Sequence, residues 1–164
     1  MNTGQSMLTL GAIMLLSFLT LRINSNLLIA QTSLHNAKFG LLATSLAASM
    51  MERGSRLAFD EASVDDAITT LTQLTPPNSL GPESGETLNT FDDLDDFNNY
   101  DVTDSSMPSA IFRVRCKVFY INPSAPSTPV NSKTYHKNFT VSVTSASMED
   151  SISFSSVLSY WTFR

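Results

Sequence analysis

The chain reads as an α+β protein: a long N-terminal helix, apolar in its first half, with a small head of three to four antiparallel strands packed on its second half. Three observations predict this. Apolar residues continue at helical spacing well past the length of a membrane span, Pro, Gly, Asn, Ser and Asp crowd the middle of the chain, and the last third alternates apolar and polar residues in short runs. With 164 residues there is room for one compact head plus an extension, but not for two ordinary domains. The net charge of −5 comes mainly from acids after position 59, so no basic surface exists to neutralise phosphates, which argues against nucleic acid as a partner. Cys116 is the single cysteine, which excludes an intramolecular disulfide and a thiolate-rich zinc site and leaves it as a small core hydrophobe.

The helix comes first. Residues 7–23, MLTLGAIMLLSFLTLRI, carry only the charge of Arg22, and at about 1.5 Å per residue they span roughly 25 Å, close to the thickness of a bilayer core. MNTGQS lacks the basic start of a secretory signal peptide, and no Ala-x-Ala cleavage site follows. Nor does the pattern stop as it would after a simple anchor. Leu27, Leu34, Leu41 and Ala48 fall seven apart, with Ala30, Ala37, Thr44 and Met51 at the companion heptad positions. Only Gly11 and Gly40 interrupt residues 5–53, so one helix of about fifty residues is expected, roughly 75 Å long. That exceeds the diameter of so small a head, and half of the helix must be buried elsewhere, in lipid or among other helices.

Gly4-Gln5-Ser6-Met7-Leu8-Thr9-Leu10 resembles the processing site of type IV pilins and pseudopilins, in which a glycine precedes an unbroken apolar helix. The resemblance implies cleavage between Gly4 and Gln5 by a prepilin peptidase on the cytoplasmic side. Residues 1–4 would then be a short leader and residues 5–24 a helix held in the inner membrane and later in a filament core. Residues 25–164 would continue the helix and form the β-rich head. It further implies filament-core packing by Leu8, Leu10, Ile13, Leu16, Leu27, Leu34 and Leu41, and partners that are copies of the chain or related subunits, together with an assembly platform. The filament would be periplasmic or extracellular, on a bacterial surface. This sequence departs from the family in three ways: Thr9 stands where pilins usually carry a glutamate, the leader-like segment is short and uncharged, and Arg22 lies opposite to the positive-inside tendency.

In the head, Ser63 with Asp66 in a capping-box pattern predicts a second short helix over residues 63–74, ended by Pro76 and Pro77. Residues 76–108 have no sustained period and read as a long irregular loop. Strands follow over 111–121, with Phe112, Val114, Cys116, Val118 and Tyr120 inward, and over 135–144, with Phe139, Val141 and Val143 inward. A third, over 151–161, places Ile152, Phe154, Leu158 and Tyr160 on one face. Short connections favour an antiparallel meander. Residues 46–61, the acidic FDDLDDFNNYD, YHKNFTVSVTS and SISFSSVLSYW are similar to the minor pilins of mannose-sensitive haemagglutinin pili.

Asp92, Asp93, Asp95 and Asp96 offer the oxygen ligands a hard cation such as calcium takes, although the spacing is not that of an EF-hand; without a cation, repulsion would leave the loop extended and solvated. No other cofactor is suggested. His35 reads as a helix-surface residue and His136 as a solvated strand residue, and neither sits in a nucleophilic constellation. Gly81-Pro82-Glu83-Ser84-Gly85 reads as a turn and Asn138-Phe139-Thr140 as a weak glycosylation sequon. Arg113, Arg115 and Lys117 form a basic strand face that either meets a neighbour's acidic loop or stays solvated. The functional expectation is a non-enzymatic structural subunit, main or minor, of a type IV pilus or type II secretion-like filament. The alternative is a membrane-anchored binding or adhesion module, calcium-dependent or not, that never polymerises.

Overall fold

The computed structural model describes residues 2–107 and 109–163. Helix α1 spans Thr3–Gly54 without a break; Leu, Ala, Met and Ile dominate it, and two interior glycines, at about 1 kcal/mol each, do not outweigh their helix preference. The chain divides into two compact units, one ending at Lys38 and the other beginning at Phe39. The first unit is helix throughout its described residues from Thr3 onward.

The second unit holds the last turns of α1 and five strands: β1 Asp101–Asp104, β2 Phe112–Asn122, β3 Ala125–Pro129, β4 His136–Ser145 and β5 Ile152–Ser159. The sheet order is β1-β2-β4-β5, with β3 pairing to the far end of β2, and every ladder is antiparallel. β2, β4 and β5 are the strands the alternation predicts. β1 and β3 were hidden from it. β1 is four exposed or half-exposed residues inside the acidic stretch, and β3 contains Pro126 and Pro129, a composition that signals a turn.

The predicted helix over 63–74 is absent; the segment makes only 3-10 turns at Glu61–Ser63 and Leu71–Gln73. Of its apolar residues only Ile68 and Leu74 are buried, so there is no helical face to pack. Asp60, rather than Ser63, caps the first turn, and the same carboxylate accepts the Thr75 N–H at 3.0 and 3.1 Å, folding the segment back on itself.

The core lies between α1 and the sheet. Phe39, Ala43, Ala47 and Met50 form one stripe of the helix, laid on Phe112, Val114, Cys116 and Val118 of β2 and Phe139, Val141 and Val143 of β4. At Gly54 the approach is closest, since a Cβ there would sit 2.5 Å from a ring carbon of Phe139. A second cluster gathers Phe59, Ile68, Leu74, Leu80, Tyr120 and Tyr160. On β5 the predicted inward face is only partly covered: Leu158 and Tyr160 are buried and Ile152 half-buried, but Phe154 is 37% exposed. It sits opposite Val141 on the last strand of the order, where no further strand lies alongside.

Candidate functional site

Two features stand out from the packing. The first is the surface of α1. Met7, Leu8, Leu10, Ile13, Met14, Leu15, Leu16, Phe18, Leu19, Leu21, Ile23, Leu27, Leu28, Ile29 and Leu34 are each more than half exposed. This helix is long and apolar enough to cross a membrane. Burying these fifteen side chains at even 1 kcal/mol apiece amounts to on the order of 15 kcal/mol, comparable with the whole stability of a domain. Four of its hydroxyls are satisfied within the helix. Thr9 Oγ1 donates to Gln5 O at 3.1 Å, Ser17 Oγ to Ile13 O at 2.8 Å, Thr20 Oγ1 to Leu16 O at 3.0 Å and Thr32 Oγ1 to Leu28 O at 3.0 Å. These four therefore need no water, and that part of the surface suits an apolar surrounding. The Arg22 guanidinium lies over the Phe18 ring at 5.5 Å.

Within the second unit the direction of the heptad stripe becomes visible. Leu41 is 71% exposed, while the buried stripe one face away is Phe39, Ala43, Ala47 and Met50. The head thus uses a different face of α1 from the one marked by the seven-residue spacing, and Leu41 is left over. Thr3 and Gly4 already lie inside α1, so no change of secondary structure marks the step from Gly4 to Gln5. A Cβ at Gly4 would meet nothing within 4 Å.

The second feature is a buried charge network that the sequence reading missed. Lys137 is fully buried, and its Nζ donates to Phe59 O at 2.7 Å, to Asp60 Oδ2 at 2.8 Å and to Asp95 Oδ1. All three ammonium hydrogens are used. The rings of Phe59 and Tyr120 lie 4.4 and 5.0 Å from the same nitrogen. Asp60 also accepts the Tyr120 hydroxyl at 2.9 Å. Burial pushes its pKa up, but the charge and hydrogen bonds of Lys137, with those of Thr75 and Tyr120, outweigh this and hold it below the usual carboxylate range. At Asp95 burial prevails over Lys137 and the pKa rises to about 7. At Asp93 burial, then the charges of Asp95 and Asp96, raise it to about 9, so this carboxyl is protonated at neutral pH.

These contacts correct the expectation of an extended, solvated acidic loop. Asp93, Asp95 and Asp96 are buried and only Asp92 is exposed. Backbone pairing explains how. Ala58 N donates to Asp92 O at 3.0 Å and Leu94 N to Ala58 O at 2.9 Å, so the acidic segment is fastened beside the residues leaving α1. The acids then serve their own turn: Asp93 Oδ1 accepts Asp95 N–H at 2.5 Å and Asp96 N–H at 3.2 Å. The four aspartates named as calcium ligands do not converge on one point. Among the described residues the acidic groups that do are Glu83, Glu86 and Asp96, whose ligand oxygens lie within 4.8 Å of one another.

The remaining candidates find ordinary places. His35 is exposed on α1. His136 is half-buried rather than solvated, its Nδ1 2.7 Å from the hydroxyl of Ser159, its cross-strand neighbour. Asn138 is buried, donating to Pro126 O at 3.0 Å and accepting from Thr140 and Ser155, so the sequon is not presented to solvent. Arg113 is taken by Asp101 of β1 in a forked pair at 2.8 and 2.6 Å, exposed and screened by solvent, while Arg115 and Lys117 stay on the outer face. Burial pushes the Cys116 thiol up to about 12, as expected of an inert core residue. Trp161, 59% exposed, packs on Tyr135 and Tyr160 at 5.4 and 5.3 Å. No model of a known family, no curated protein and no solved structure matches the chain.

Proposed function

We propose that the chain is a pilin-like structural subunit that assembles through lateral packing of α1 into a type IV pilus or type II secretion-like filament, after residence in the inner membrane. The observation that carries this is the face of the helix. Fifteen large apolar side chains are open, and Leu41, in the stretch where α1 does pack on its own sheet, points away from that sheet. A simple anchor needs about 20 apolar residues and no second stripe beyond them. A helix that continues apolar on a face its own head leaves uncovered matches a surface for other helices. Thr9, hydrogen-bonded within its own helix turn, offers no charge for registration, so assembly rests on apolar packing and on head contacts. The protein acts without catalysis in this reading, and its partners are copies of itself or related subunits, a prepilin peptidase and an assembly platform.

The test is the intact mass of the chain recovered from sheared cell-surface material. A species beginning at Gln5, with or without an added methyl group, is expected. A chain that retains Met1 and occurs only in membranes would instead make it an anchored binding module that does not polymerise.

A further inference from the structure

The end of α1 covers one face of the sheet. From the other face project Arg115 and Lys117 of β2, alternating with the buried Val114, Cys116 and Val118. Their cross-strand neighbours on β4 are Ser142 and Thr140, and the hydroxyls continue on β5 with Ser153 and Ser155. An open groove of about 440 Å³ runs along these residues, lined in part by Arg115, Lys117, Thr140, Ser142, Asn99 and Tyr100. Asp101 borders it too, but its carboxylate is held by Arg113 in the forked pair. Two cations and a bed of hydroxyls remain, a surface that suits an anionic partner.

Acids that could answer it lie on the opposite side of the head. Phe91, Leu94 and Phe97 belong to the core between α1 and the sheet, so the segment that carries them, and Asp92 with it, is on the α1 side. Asp92, Glu61 and Glu83 are exposed and Glu86 is half-buried. They are close to one another: Glu83 and Glu86 bring carboxylate oxygens within 4.8 Å, and burial, then the charges of Asp92, Asp96 and Glu86, raise the pKa of Glu61. The ion pairs among the described residues are Arg56 with Glu52, Arg113 with Asp101, and Lys137 with Asp60 and Asp95. None joins this acidic rim to a cation, and none joins Arg115 or Lys117 to an anion. Within one head the two surfaces face apart, and a second copy can bring them together.

We propose that the Arg115–Lys117 groove of one subunit receives the acidic rim of a second copy, formed by Glu61, Glu83, Glu86 and Asp92. This rests on the filament reading and names the contact between its heads. Because unlike patches meet, the contact is heterologous, the kind that repeats into a helical filament. Exposed pairs are weak singly and are screened by salt, so this contact sets orientation more than affinity. The apolar packing of α1, which is strong but non-directional, supplies the affinity.

The experiment is charge reversal in the full chain, in cells that assemble it, with filaments in sheared surface material counted by electron microscopy. Arg115→Glu with Lys117→Glu, and separately Glu61→Lys with Asp92→Lys, should each lower filament yield by about tenfold or more, because like charges then meet. Joining all four substitutions should restore it. All four side chains are exposed, so the thermal midpoint of each variant in detergent micelles should match the wild type. Arg115→Gln with Lys117→Gln removes attraction without adding repulsion and should give an intermediate yield, even where a reversal disturbs the head. If both reversals assemble normally while Leu34→Asp with Leu41→Asp does not, the contact is refuted and the filament reading stands. Losses that the fourfold variant does not repair refute a second copy as the partner. A wild-type chain that forms no filaments overturns the filament reading, and this contact with it.

Discussion

Replacing Lys137 with methionine keeps the length of the side chain and removes its charge, and the structure allows the cost to be worked through. Three donated hydrogen bonds are lost, two of them to carboxylates, and Asp60 and Asp95 are left buried without their cation. Breaking one side of a buried pair costs about 3–5 kcal/mol, since the remaining charge is uncompensated. For a head of this size that corresponds to a Tm lower by roughly 10–20 °C. The cost should depend on pH. In the wild type Asp60 has a folded pKa below its unfolded value, so its contribution is present above the unfolded pKa near 4 and is lost as pH falls through the folded one. In the variant both carboxylates lose the attraction of Lys137 and titrate upward, so stability is highest below about pH 4 and falls as pH rises. The gap between the two proteins therefore narrows from both sides on acidification. Guanidinium unfolding of a soluble form beginning at Ser25, followed by near-UV circular dichroism at pH 7 and pH 5, reads it. A loss under about 1 kcal/mol at pH 7, or one equal at both pH values, would refute the assignment of Lys137 as the counter-charge for these acids.

Gly54→Ala should lower stability by about 1–3 kcal/mol in the same unfolding assay, because its methyl would press on the Phe139 ring; an unchanged midpoint would mean the sheet yields freely there. Substituting Leu34 and Leu41 with Asp should abolish filaments seen by electron microscopy while the far-UV spectrum of the soluble head stays native, since neither side chain is in the core. Gly4→Leu meets no steric obstacle, so intact mass should show the full chain accumulating uncut with a normally folded head. Stability should peak near pH ~4, because Asp93, Asp95 and Glu83 have raised folded pKa values and cost stability as pH climbs from their unfolded values near 4 through 7 to 9. Asp60 opposes them only towards lower pH. Thermal melts from about pH 3 to pH 9 check this, and an optimum at or above neutrality would refute it.

Local periodicity was enough to determine the α+β class, the unbroken α1 and the three strands β2, β4 and β5, because helical and extended repeats are written in neighbouring residues. It also made the first half of α1 apolar all round, which needs no tertiary information to recognise. Lys137 was within reach: it shares its parity on β4 with Phe139, Val141 and Val143, so the alternation that places them inward places it inward too. A lysine on a core face asks for acids nearby, and the acidic run at 92–96 was the candidate in view. Which acid would answer was not legible, since Asp60 and Asp95 stand 77 and 42 residues away in sequence and meet Lys137 only when the Ala58 bridge draws the acidic segment in. The same holds for Glu83, Glu86 and Asp96, gathered by a glycine turn and a backbone-held aspartate rather than by any spacing. β1 and β3 exist because β2 offers open hydrogen-bonding edge, not because their own residues prefer strand. Sequence thus determined what could be buried, while the tertiary structure decided which face of α1 the head covers, and so which face remains for a partner.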